Sequence, residues 1–210
     1  GDFAFLLHPT AGPVEAGCNG TSRYKVRTRG VAAHSARAWM GENAIHAAAP
    51  ILAILAGYTP QTVEVDGLEF RESLNAVRIN GGIAGNVIPD YCEVEVNYRF
   101  APDKDVEAAE AHVFELFEGF EIVRTDGAGG ARPGLRHPAA ASFVEAVGQI
   151  PKPKFGWTDV ARFSALGIPA VNFGPGDALL AHSDDEHVTR TAIHDCLAAL
   201  RRWLGEAPSG

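Results

Sequence analysis

The sequence predicts an α/β protein interrupted by a ferredoxin-like insert. Two wholly apolar strands, residues 3–7 and 170–173, stand at opposite ends of the chain, and an unbroken apolar run of that length suits a strand covered on both faces. Between them, residues 22–128 change to half-wet strands and amphipathic helices in the order β-α-β-β-α-β. That order is the split βαβ plan, in which the first and third strands are neighbours. The chain therefore divides into an α/β segment (1–21), the insert (22–128) and a second α/β segment (129–210).

Within the insert, residues 23–29 alternate Tyr24, Val26 and Thr28 with Arg23, Lys25, Arg27 and Arg29, as a strand with one solvated face does. Residues 42–56 form a helix with Ile45, Ala48, Ala49, Leu52 and Leu55 on one side, kinked at Pro50 and closed by Gly57. A second strand, 75–80, ends at Gly81-Gly82, and a third, 91–100, alternates Cys92, Val94, Val96, Tyr98 and Phe100 with Glu93, Glu95, Asn97 and Arg99. A helix after Asp103, apolar at Val106, Ala109, Val113, Leu116 and Phe117, leads to a last strand, 120–124. The four cations of the first strand face Glu93 and Glu95 of the third, each pair contributing roughly 0.2–1 kcal/mol. The basic stripe thus has an internal use, and nucleic-acid binding is not expected.

After the insert the α/β pattern returns, with helices near 139–147 and 159–166, the strand at 170–173, and a final helix placing Ile193, Leu197, Leu200 and Leu204 inward. Two doubly covered strands do not make a sheet, so further strands are expected from a segment ahead of Gly1.

Of the 210 residues, 46% are hydrophobic and 21% charged, ordinary for a globular chain. The net charge of −8 disfavours phosphate backbones and anionic lipid. Cys18, Cys92 and Cys196 are too few and too scattered for a disulfide framework or a structural zinc site, which points to a reducing cytoplasm. No apolar run approaches a membrane span, so no membrane association is expected.

The densest chemistry lies at 182–187, where His182-Ser183-Asp184-Asp185-Glu186-His187 follows a strand and the glycine turn Gly174-Pro175-Gly176. Imidazoles and carboxylates bind divalent metals, and loops beyond strand carboxyl ends are where α/β folds hold ligands. Asp184, Asp185 and Glu186 also suit plain N-terminal charge ahead of a helix, whereas His182 does not. Four other positions carry two readings each. His34 is a loop histidine or an oxyanion donor. Asn86, at the tip of a glycine-rich hairpin, is a turn residue or a recognition group. Arg99, on the strand face it shares with Glu95, is one half of a cross-strand ion pair or a carboxylate clamp. Thr158, with Asp159, caps a helix or marks free N–H groups that hold a carboxylate.

Five motifs in order, His34-Ser35-Ala36-Arg37 with Gly41-Glu42-Asn43-Ala44-Ile45, Gly85-Asn86-Val87-Ile88-Pro89, Asn97-Tyr98-Arg99-Phe100, Trp157-Thr158-Asp159 and the His182 loop, resemble the M20 metallopeptidase and deacylase family over nearly the whole chain. The resemblance implies a zinc-peptidase-like α/β catalytic domain holding two zinc ions, an inserted lid that forms a homodimer, and a small-molecule substrate. It implies hydrolysis of the amide of N-succinyl-LL-2,6-diaminopimelate by a metal-bridging water. The alternatives are an acetylornithine-type or aminoacylase-type deacylation, or a noncatalytic dimerisation and binding module. By position it makes His182 a zinc ligand, His34 the oxyanion donor reaching a partner's site, and Asn86, Arg99 and Thr158 the holders of substrate carboxylates. Two departures stand out. The family's Glu-Pro-Thr, whose glutamate binds zinc, is His8-Pro9-Thr10 here, and the family's N-terminal His-x-Asp and paired glutamates, which supply the other ligands and the general base, are absent, since His182-Ser183-Asp184 follows the glycine turn late in the chain and is not that motif. The expectation is a later portion of such an enzyme, inactive on its own.

Overall fold

A computed structural model describes residues 3–181 and 183–205. It begins with β1 (Ala4–Leu6), and β2 (Glu15–Ala16) follows a loop. The insert then opens with β3 (Gly20–Arg29), which buries Gly20, Ser22, Tyr24, Val26 and Thr28 and leaves the cations on the other face. A short β4 (Ala33–His34) follows Gly30, where a Cβ would meet the Glu42 carbonyl at 2.0 Å, so only glycine fits.

The predicted helix is two segments, α1 (Ala44–Ala47) and α2 (Ala49–Gly57), broken at Ala48 with Pro50 in the first turn of the second. Asn43 Oδ1 caps the first by accepting from Ile45 and His46 N–H groups. The break shifts the phase. Ala44, Ala48 and Ile51 face the sheet, while Ile45 and Leu52 are each 40% exposed. Thr28 Oγ1 donates to the Ala44 carbonyl at 2.7 Å and so fixes which side of α1 is down.

A hairpin of β5 (Thr62–Val65) and β6 (Leu68–Arg71) comes next, unpredicted, turning through Asp66 and Gly67 at φ 50° and 86°. The insert continues with β7 (Ser73–Gly81), β8 (Val87–Ile88) and β9 (Tyr91–Phe100), then α3 (Val106–Leu116), capped by Asp105, and β10 (Glu121–Ala128). Its sheet has the order β10-β3-β9-β7, antiparallel throughout, which is the ferredoxin-like arrangement with the first and third strands adjacent. Tyr24, Val26, Val94, Val96, Tyr98 and Phe100 on one face close a core against Ile51, Ala109, Val113 and Phe117 from the helices. On the other face Glu93 bonds Lys25 at 2.8 Å and Arg27 at 2.9 Å, and Glu121 of the fourth strand takes Arg27 and Arg29. The basic stripe is neutralised within the sheet over these three positions.

The remaining elements are α4 (Pro138–Val147), β11 (Lys152–Pro153), α5 (Val160–Ala165), β12 (Ala170–Asn172) and α6 (Arg190–Trp203). They build a second sheet of order β1-β12-β2-β11, with β1 and β12 parallel and the two-residue β2 and β11 added beyond the expected pair. β1 is half-buried rather than covered on both faces, because among the described residues it pairs with β12 alone and ends the sheet. The phase of α6 also differs from expectation. Cys196 and Ala199 are buried, while Ile193, Leu197 and Leu204 are 47%, 43% and 63% exposed. Its C-terminal end sets that phase: Trp203 Nε1 donates to Ser142 Oγ, its ring lies edge-on to Phe5 and Phe143, and Arg202 donates to the Ala146 carbonyl.

Candidate functional site

His34 and Asn86 come together. β4 and β8 pair with His34 opposite Val87, and the Ser35 N–H donates to the Asn86 carbonyl at 2.9 Å. His34 Nδ1 accepts the Ala36 N–H at 3.1 Å, which places the proton of the neutral ring on Nε2. The exposed edge of that imidazole is then an N–H donor, the form an oxyanion requires. Both residues lie beyond the Arg29 end of β3, whose ten residues span roughly 30 Å from the junction at Gly20.

Arg99 sits near that junction instead, opposite Thr21 on one side and Ser73 on the other. The cross-strand ion pair does not form, since neither residue opposite Arg99 is acidic and no carboxylate lies within ion-pair distance of it among the described residues. Arg99 Nε instead donates to Asn97 Oδ1 at 3.1 Å, while Asn97 Nδ2 donates to the Ser22 carbonyl and Thr21 Oγ1. Burial, with the Arg23 charge nearby, pushes the Arg99 guanidinium down from its ordinary value. Asn97, two residues away on the same strand face, is a positioning group that the sequence reading left without a role; i, i+2 spacing was its only signal.

Thr158 is buried beside the junction, and its Oγ1 has no hydrogen-bond partner among the described residues. Its carbonyl accepts from Cys18 Sγ at 3.7 Å and from the Ala161 N–H. The capping reading of Thr158 and Asp159 fails, because neither side chain bonds the first turn of α5 and Asp159 pairs with Arg162 at 2.8 Å. Trp157 Nε1 donates to the Gly129 carbonyl, tying this turn to the end of the insert. Burial raises the Cys18 thiol, and all three cysteines are free and buried.

His8 is exposed on the loop after β1, packed by its backbone against the glycine turn after β12. A Cβ on Gly174 would meet the His8 carbonyl at 2.4 Å, and Thr10 and Ala11 donate to the carbonyls of Gly174 and Gly176. The two loops are the carboxyl ends of parallel neighbours, the expected place for a ligand. His182 lies outside the described residues. Asp184, Asp185 and Glu186 are not the N-terminal charge of a helix, since α6 starts at Arg190 and is capped by Thr189. His187 Nδ1 is bonded to the Asp185 carbonyl at 2.7 Å. Among the described residues no three His, Cys, Asp or Glu side chains gather into a metal-binding group.

Residues 17–120 match the family model of the M20 peptidase dimerisation domain. The chain thus carries an M20-type dimerisation domain, and the M20 metallopeptidases imply a metal cofactor. It is 54% identical to the DapE protein of Mycobacterium tuberculosis H37Rv over 97% of its own length, and 48% identical to succinyl-diaminopimelate desuccinylase of Corynebacterium glutamicum over 98%. It spans 58% and 57% of the lengths of those relatives. Among solved structures, a Staphylococcus aureus tripeptidase shares the fold at TM-score 0.73 and 18% identity, covering 96% of this chain and 56% of the tripeptidase. An M20 family metallo-carboxypeptidase from Sulfolobus solfataricus does so at 0.69 and 14%, with 97% and 63% covered.

Proposed function

We propose that the protein supplies the dimerisation and substrate-recognition part of an M20 amidohydrolase that cleaves N-succinyl-LL-2,6-diaminopimelate to succinate and LL-diaminopimelate. The observation that carries this reading is the 54% identity to a DapE protein along nearly the whole chain. In it residues 22–128 are the lid between α/β segments 1–21 and 129–210. His34 donates its Nε2–H to the developing oxyanion, and Asn86, Arg99 and Thr158 hold substrate carboxylates. The roughly 30 Å length of β3 supports a role for His34 in the site of a second copy. A homodimer through the lid is supported by the edge strand β7, with Val77 and Ile79 exposed beside Ile45 and Leu52.

Zinc is the proposed metal, with His182 and His8 as its ligands in this chain. The described residues do not fit a complete centre. They offer no cluster of three metal-binding side chains, and the sequence holds no Glu-Glu pair to provide a base. No hydrolytic step is assigned to them, and the chain alone is expected to bind without turning over. That same gap favours the second reading, a noncatalytic dimerisation and binding module. Three free, buried cysteines support a cytoplasmic setting, and no helix among the described residues is long and apolar enough to cross a membrane.

Calorimetric titration with N-succinyl-LL-diaminopimelate and N-acetylornithine tests the substrate class. Tighter binding of the succinyl compound is expected, and equal affinity for the two would overturn the assignment.

A further inference from the structure

The cations on the solvated face of the insert's sheet are not neutralised evenly. Lys25, Arg27 and Arg29 are matched by Glu93 and Glu121 at 2.8–3.0 Å. At the Gly20 end the balance changes. Arg99 has no carboxylate within ion-pair distance among the described residues, and its one hydrogen bond, through Nε, leaves both terminal nitrogens unspent. Asn97, which holds that Nε, is itself anchored twice to β3, at 3.1 Å and 3.3 Å. Arg23 lies opposite Asn97 and is therefore the diagonal neighbour of Arg99 on the same face, about 7 Å away between Cβ atoms. Its own carboxylate, Asp126, is 3.8 Å distant, with both side chains more than half exposed. Of the two guanidiniums, only Arg23 has a carboxylate among the described residues, and that one is loosely held.

We propose that Arg23 and Arg99 together form an anion subsite for a substrate carboxylate. Arg99 is oriented by Asn97 to fork onto the carboxylate, and Arg23 supplies the second charge that selects a dianionic ligand over a monoanionic one. The proposal rests on the carboxylate-bearing substrate of the preceding section and adds Arg23 as a specificity-determining residue. A preset guanidinium loses little freedom on forming a bidentate pair, and a second cation nearby raises the local anion concentration. Asp126 competes with the ligand for Arg23.

The test is NMR titration of the full chain with succinate and with acetate, following the Nε–Hε resonances of Arg23 and Arg99. Succinate is expected to shift both and to bind more tightly than acetate. Arg23→Gln should weaken succinate about tenfold, the loss of one charge-assisted contact. Asp126→Asn should tighten it, and Arg29→Gln, which alters a neutralised position, should leave it unchanged. An Arg23→Gln protein with a native spectrum and unaltered succinate affinity would overturn the proposal, as would shifts at Arg99 alone. N-succinyl-diaminopimelate binding that survives Arg23→Gln intact would remove this subsite while leaving the proposed substrate in place.

Discussion

The two halves of the molecule organise their buried residues differently. The insert closes one large core, from Tyr24 to Phe117, between a four-stranded sheet and a single layer of helices, with a small separate cluster of Val65, Phe70 and Ala101 at its hairpin. The α/β part divides its core into two smaller clusters, around Phe143 and around Cys18, held by strands of two or three residues. Both parts leave large apolar residues facing outward, Trp39, Met40 and Ile83 in the insert and Ile150, Leu166 and Leu179 in the α/β part. Helical and strand propensity alone cannot hold elements so short, so their stability rests on the ring cluster of Phe5, Phe143, Phe173 and Trp203. A closed lid can stand by itself. The α/β part gains more from additional contacts.

If that contrast is right, heating should melt the α/β part first and the lid later, and substitutions should separate the two events. The largest effect is expected from Phe143→Ala, which removes the ring at the centre of the aromatic cluster. It should cost about 3–5 kcal/mol and lower only the first transition in calorimetry. Glu72→Ala should lower only the second, by about 3 kcal/mol. Its buried carboxylate accepts from Tyr98 Oη, the Ala101 N–H and Lys104 Nζ, all within 2.9 Å, tying β7 to β9. Equal shifts of both transitions by either variant would merge the two regions into one cooperative unit.

Acid sharpens the same division. Burial alone would raise the Glu93 carboxyl, but Lys25, Tyr91 and Arg27 outweigh it and hold the group at about 2. A carboxyl lower in the native than in the unfolded chain stabilises above its unfolded value, near 4.5, and that contribution is lost as pH falls toward 2. The lid transition should therefore fall between about pH 5 and 2, checked by urea unfolding across that range. A lid transition independent of pH there would remove the ion ladder from the stability account. The smallest effect is expected from Asp105→Ala, which deletes the 2.7 Å cap on the Ala108 N–H and should cost about 1 kcal/mol, again in the lid alone.

How legible each region was follows from the same physics. β9 was read to the residue because one face of it meets a core and the other meets water, so period-2 alternation was complete. β2 and β11, at two residues each, have no period to read. The β5–β6 hairpin carried a readable signal in Asp66-Gly67, the residue pair that a tight strand turn with two positive φ angles favours. The helix phases of α2 and α6 misled for different reasons: α2 is apolar all round, whereas α6 has one wide apolar stripe of which only the side carrying Cys196 and Ala199 is covered. For the site, adjacency of His34 and Asn86 depended on a two-strand ribbon that spacing does not reveal, and the lack of an acidic residue opposite Arg99 depended on register.

In the proposed function these residues recognise a succinyl substrate without supplying a complete hydrolytic centre among the described residues. Succinate release from N-succinyl-LL-diaminopimelate by the purified chain, with zinc added, tests this most directly. Measurable binding with no release is the predicted result; release that a chelator abolishes would contradict it.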